Sequence, residues 1–253
     1  MHSDDQPALR EKPMGFFDHL EDLRWTLIKC VVTFMIFAVL IGIFLREFND
    51  VLMWPLHSVQ TSSTSLELGT TSIMESFTVV MQMWFLGGFV LAAPFLLLFI
   101  GQFVSPALTE RELKVVLPLC LAAMILFLCG AAFSFFLLVP STLRVSMEIN
   151  EYFGFVMRWT PGSYFGLLMW LVLGVGAAFE FPLLIVLLIY MGILSTATLC
   201  KYRRHAIVGI FIIAAIVTPT PDPITQTIFA APLYVLFELA IIVGRRLEKR
   251  RAA

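Results

Sequence analysis

The chain has 253 residues, 59% of them hydrophobic and only 14% charged, with a mean hydropathy of +0.91 and a formal net charge of −1. Soluble globular proteins carry about 25% charged residues. A soluble core of this length cannot bury so much apolar surface, so a water-soluble domain is excluded and lipid must cover much of the chain.

Residues 1–15 are polar and read as a mobile tail. Residues 16–24 then form an amphipathic lead-in, with Phe16, Phe17, Leu20 and Leu23 at helical spacing and Asp18, Glu21 and Asp22 on the other face. The lead-in and the first apolar run could form one helix bent at the interface, and the run reads as a retained anchor without a small-residue cleavage site after it. Six apolar runs follow in order: Trp25–Leu45, Phe77–Val104, Val115–Pro140, Phe165–Met191, Ala206–Thr218 and Ile224–Gly244. A helix needs about 20 apolar residues to cross roughly 30 Å of hydrocarbon, so the fifth run is short. The basic segments flanking the last two runs nevertheless place both ends of that pair on one side, and a short helical hairpin is predicted. The fold expected is therefore an all-α membrane bundle of six helices over residues 16–245, the last two short, with a basic tail over 246–253. Pro55, in the long segment after the first run, is expected to interrupt any interfacial helix there.

If each run crosses once, every Lys and Arg except Arg46, Arg144 and Arg158 falls on one side. Short basic loops stay cytoplasmic, so both termini are expected inside. The four cysteines lie within runs or at their basic ends, show no metal-binding spacing, and read as small apolar residues. No cofactor is implied and no metal ligand set appears.

Three groups of polar residues do not suit a bland bundle. Glu180 lies in mid-run between Gly176 and Pro182. A carboxylate there costs at least about 2.5–3.5 kcal/mol on insertion scales, so it should face a cavity or a partner helix as the neutral acid, with Pro182 freeing a backbone carbonyl beside it. Glu21, Asp22, Glu110 and Glu112 form an acidic patch where basic loops are expected, which suits a cationic ligand. Arginine fits best, because its planar fork matches carboxylates bidentately. The same acids could instead pair with Arg24, Arg111 and Lys114. Thr218, Asp222 and Gln226 border the last far-side turn, while Glu75, Gln82 and Glu238 read as interfacial or paired. There is no G-x-x-x-x-G-K-[ST], H-E-x-x-H or G-x-S-x-G, so ATP hydrolysis and intramembrane proteolysis have no support.

Phe17-Asp18-His19-Leu20-Glu21-Asp22-Leu23-Arg24, Phe103-Val104-Ser105-Pro106-Ala107-Leu108 followed by Glu112, Phe179-Glu180-Phe181-Pro182, and Pro219-Thr220-Pro221-Asp222-Pro223 followed by Gln226 occur in that order. Together they resemble the TatC family, the polytopic core of the twin-arginine protein translocase. The resemblance implies a non-enzymatic subunit of the cytoplasmic membrane that binds paired arginines of signal peptides. It also implies TatA-like and TatB-like single-span partners, assembly into a larger complex, and export driven by the proton-motive force. On that resemblance Glu21, Asp22, Arg24, Phe103, Pro106, Glu110 and Glu112 would bind the signal peptide, Glu180 and Pro182 would line an intramembrane groove, and Thr218, Asp222 and Gln226 would meet a partner helix. The competing reading is a proton-coupled transporter with Glu180 as relay, which requires a second ionisable group at similar depth.

Overall fold

The computed structural model describes residues 16–60, 68–104, 110–156, 158–218 and 222–252. The expected tail over 1–15 lies outside them. Among the described residues the secondary structure is helical: α1 (Phe16–Ile43), α2 (Leu45–Leu52), α3 (Trp54–Val59), α4 (Ile73–Val104), α5 (Glu110–Phe133), α6 (Val139–Phe153), α7 (Pro161–Tyr190), α8 (Thr196–Lys201), α9 (Arg203–Val217) and α10 (Pro223–Ala252). Five stretches are long and apolar enough to cross a membrane: His19–Ile43, Ile73–Phe103, Pro118–Phe153, Pro161–Tyr190 and Pro223–Lys249. With α9 as a shorter sixth leg of 15 residues, this is the six-helix architecture expected. The difference lies in α10, which is 30 residues long because the basic segment after Gly244 continues the helix instead of forming a separate tail.

Contacts between helix ends fix the relative directions. The start of α1 meets the end of α4, where the rings of His19 and Phe103 stack at 4.7 Å. The starts of α4 and α7 are tied together, Glu75 Oε1 accepting from the Gly162 N–H at 3.0 Å. The end of α10 lies beside the end of α7, Gly244 against Ile189. One end of the bundle thus holds the start of α1 and the finish of α10, termed here the near end; the starts of α4 and α7 mark the far end.

The helices meet where side chains vanish. A Cβ on Gly88 would lie 3.0 Å from the backbone of Ala38, so α1 and α4 touch almost backbone to backbone. Gly130 and Gly176 bring α5 and α7 together under Phe127 and Phe179 in the same way. Small residues serve this purpose in membrane bundles, where lipid competes equally well for apolar side chains and close packing supplies the attraction. The first helix is otherwise lipid-facing: Leu27, Val31, Met35 and Val39 are all more than half exposed.

Two features show how the far end is built. The chain passes from α5 to α6 without a break, through a π-helical turn at Ser134–Leu138. The apolar stretch Pro118–Phe153 has 36 residues, about 54 Å of helix, and so overshoots a hydrocarbon layer of roughly 30 Å. Gly154, with φ 68°, ends it in the left-handed conformation that glycine adopts freely. By contrast, the far end of α9 is recessed. Trp170 Nε1 donates to the Val217 carbonyl at 2.8 Å, which puts the last residue of α9 level with a residue roughly 14 Å along α7 from its start.

Replacing Gly88 with Leu should cost about 1–3 kcal/mol by forcing α1 from α4, whereas Gly209→Ala, whose Cβ meets nothing within 4 Å, should cost nothing. Thermal unfolding in detergent measures both, and equal stability of the two variants would contradict the close-packing account.

Candidate functional site

At the near end, α1 continues as one helix through the lead-in, as its apolar spacing requires. Because His19 packs on Phe103, the residue three positions on, Asp22, shares the α4-facing side of α1. The exposure pattern agrees: Asp22 is half-buried, while Glu21 and Arg24 are exposed. The stacked His19–Phe103 pair therefore forms an aromatic wall beside Asp22. The ion pair found among the described residues is Arg203–Glu238, on other helices. Arg24 does not neutralise Asp22 or Glu21. Glu110 opens α5, but its side chain, that of Glu112, and Pro106 lie outside the described residues.

Glu180 sits on α7 in a groove of about 370 Å³ between α4, α5 and α7, lined by Leu97, Gly101, Leu119, Ala123 and Leu184 among others. One carboxyl oxygen, Oε1, is buried with no hydrogen-bond partner among the described residues. A buried polar atom left this way costs the desolvation of the group, on the order of 1–3 kcal/mol. Pro182 belongs elsewhere. It is buried and lines a second groove of about 340 Å³ between α7, α9 and α10, with Leu188, Ile210 and Leu233. Phe181 and Leu184 border both grooves, so Glu180 and Pro182, expected to share one groove, occupy adjacent ones.

The polar residues of the last turn serve the hairpin itself. The Thr218 hydroxyl donates to the Ala214 carbonyl at 2.8 Å and is 4% exposed. Asp222 Oδ2 accepts from the Thr225 N–H at 2.6 Å, capping the start of α10. Gln226 Nε2 donates to the Phe211 carbonyl at 3.0 Å, linking α10 to α9. Pro55 lies in the first turn of α3, where its missing N–H is harmless, and is fully buried. The expected break falls just before it, at Met53.

Several contacts escaped sequence reasoning. Glu75 does more than sit at an interface: it also accepts from the Thr71 N–H at 2.9 Å, so one carboxylate holds the starts of α4 and α7 together. Gln82 Nε2 reaches the Gly162 carbonyl at 3.4 Å. The Tyr164 hydroxyl donates to the Leu52 carbonyl at 2.6 Å, fastening α7 to the α2–α3 segment. These partners lie up to 112 positions apart, and no local pattern announces them. Glu238, expected to pair with a basic residue, does so with Arg203 at 2.9 Å and also accepts from Tyr234. Cys200, expected to be an inert apolar residue, accepts from Arg245 at 2.9 Å.

The chain matches a family model described as Sec-independent protein translocase protein (TatC) over residues 18–232. It is 32% identical to the Koribacter versatilis protein of that name over 251 residues, covering 96% of this chain and 91% of the relative. Identity to the Carboxydothermus hydrogenoformans protein is 30% over 244 residues, covering 96% and 97%. A crystal structure of the twin-arginine translocase receptor TatC superposes with a TM-score of 0.74 at 28% identity, covering 91% of this chain and 99% of that one. A second, in DDM, gives 0.75 at 30% identity, covering 89% and 99%. The apolar helices, the order of the motifs and these likenesses agree: the chain belongs to the TatC family, a multi-pass inner-membrane component of the Tat protein translocase and not an enzyme.

Proposed function

We propose that this protein is the receptor subunit of the translocase, and that it captures the paired arginines of twin-arginine signal peptides at the near end of the bundle, the cytoplasmic face. The observation that carries this reading is Asp22: half-buried beside the His19–Phe103 stack, with no ion-pair partner among the described residues. A carboxylate in that setting gains from a guanidinium twice, through bidentate hydrogen bonds and through stacking of the planar fork on an aromatic face. Glu21 and Arg24 border the same surface, Phe103 and Pro106 would shape it, and Glu110 and Glu112 would supply the second carboxylate.

The apolar stretch that follows the arginines in such a peptide would lie in the groove that Glu180 lines. That groove is apolar apart from one unsatisfied carboxyl oxygen, so it can take a hydrophobic helix that brings one polar group. TatA-like and TatB-like single-span partners would be recruited for export driven by the proton-motive force, with Gln226 as one contact on α10. The cation count supports the N-in, C-in orientation. The rival reading, a proton-coupled carrier, finds no second carboxylate and no basic group among the residues lining the Glu180 groove.

A photoreactive residue at Leu23 should crosslink a peptide carrying Arg-Arg and capture its Lys-Lys counterpart roughly tenfold less, since a point charge cannot bond bidentately. Equal capture would overturn the recognition proposed. For the groove, Glu180→Gln should preserve most export of a twin-arginine reporter. Glu180→Lys, which adds a cation costing at least about 2.5 kcal/mol at that depth, should abolish it. Normal export by the Lys variant would contradict the assignment.

A further inference from the structure

The near ends of α8, α9 and α10 carry a dense set of cations, and the fold removes the acids that would neutralise them. Glu238 is committed to Arg203 and Tyr234. Glu248 accepts from both the backbone N–H and the hydroxyl of Thr196, capping α8. Lys201, Arg204, Arg245, Arg246 and Lys249 remain exposed with no acid partner among the described residues. Arg245 reaches the Cys200 sulfur, and Lys201 lies over the Tyr202 ring at 5.8 Å. The Cys200–Arg245 contact draws the α8 cations against those of α10.

Two of these cations border a cleft of about 390 Å³ whose other walls are apolar, Arg246 and Lys249 with Val243 and Leu247. Val243 lies one turn before both Arg246 and Leu247 on α10. One turn further into the membrane-spanning part, Leu239, Ile242 and Val243 are each more than 40% exposed, as lipid-facing residues are. The cleft is therefore positive at its mouth, apolar at its flank and continuous with the acyl-chain surface.

We propose that this cleft is a binding site for an anionic phospholipid of the leaflet at the near end. Arg246 and Lys249 take the headgroup phosphate, and Val243 and Leu247 contact the glycerol and the first acyl methylenes. Uncompensated cations beside a membrane-spanning helix attract anionic headgroups by Coulomb force that decays within a Debye length. What distinguishes this surface from an ordinary basic loop is the sequestering of both neighbouring acids and the apolar wall beside the phosphate position. The inference goes beyond signal-peptide capture and does not depend on it.

The test is native mass spectrometry of the full chain released from nanodiscs containing phosphatidylcholine with about 10% phosphatidylglycerol. The intact protein should retain phosphatidylglycerol in preference to phosphatidylcholine. Arg246→Gln with Lys249→Gln should lower that retention roughly tenfold to thirtyfold. Arg144→Gln, at the far end, should leave it unchanged. Thermal unfolding in detergent separates lipid from free anion: phosphatidylglycerol should raise the melting temperature of the intact chain, and inorganic phosphate should not. Undiminished retention by the double variant overturns the site. So does an equal loss in Arg144→Gln, an equal shift by phosphate alone, or displacement of the lipid by an acidic peptide at stoichiometric concentration.

Discussion

In hydrocarbon no water replaces a missing hydrogen bond, so each polar group of a membrane bundle must find a partner within the protein or lie where a ligand or headgroup supplies one. Most of this fold obeys the first option. The Tyr164 hydroxyl finds the Leu52 carbonyl, Trp170 finds Val217, Gln226 finds Phe211, and the Glu75 carboxylate caps the start of α7 from α4. Each of these bonds ties one helix to another in the far half of the bundle. They complement the glycine contacts of Gly88 with Ala38 and Gly130 with Gly176, which set how closely the helix axes approach. The scaffold is held by close packing in its middle and by polar fasteners at its edge.

Three other places would meet other molecules under the function and the lipid site proposed. Asp22 waits at the near end beside an aromatic stack. Glu180 keeps one bare oxygen in an apolar groove. The cations of α8 to α10 have lost their acids to Thr196 and to Arg203. These three places suit three different ligands: a pair of guanidinium groups, an apolar helix with one polar group, and a lipid phosphate. The first two lie in the order in which a signal peptide presents its arginines and its hydrophobic stretch, and α7 and α4 connect them.

Much of this architecture is legible in the sequence, because the dominant signals are local. Apolar runs report the spans, and the phenylalanine and leucine spacing of the lead-in reports that α1 begins before its apolar run. Pro55 marks the break between α2 and α3. What is illegible depends on distance along the chain or on small changes of phase. Thr218 looks available from its place beside a proline-rich turn, yet its hydroxyl turns back into α9. Glu180 and Pro182 look like one site because they are two residues apart, and for the same reason a helix points them into different grooves. The basic residues after Gly244 look like a tail, but they are good helix formers and simply prolong α10. The π-helical turn at Ser134–Leu138 leaves no compositional trace at all.

The central claim is that Asp22, without an ion-pair partner among the described residues, is the carboxylate that grips the incoming arginine. Its most direct measurement is the equilibrium affinity of a fluorescent twin-arginine peptide for the full chain in nanodiscs, with Asp22→Asn compared with the intact protein. Losing one partner of a desolvated charge pair costs about 2–5 kcal/mol, so affinity should fall about thirtyfold or more and its dependence on salt should flatten. An Asp22→Asn protein that binds the peptide as tightly as the intact one, with the same salt dependence, would contradict the account.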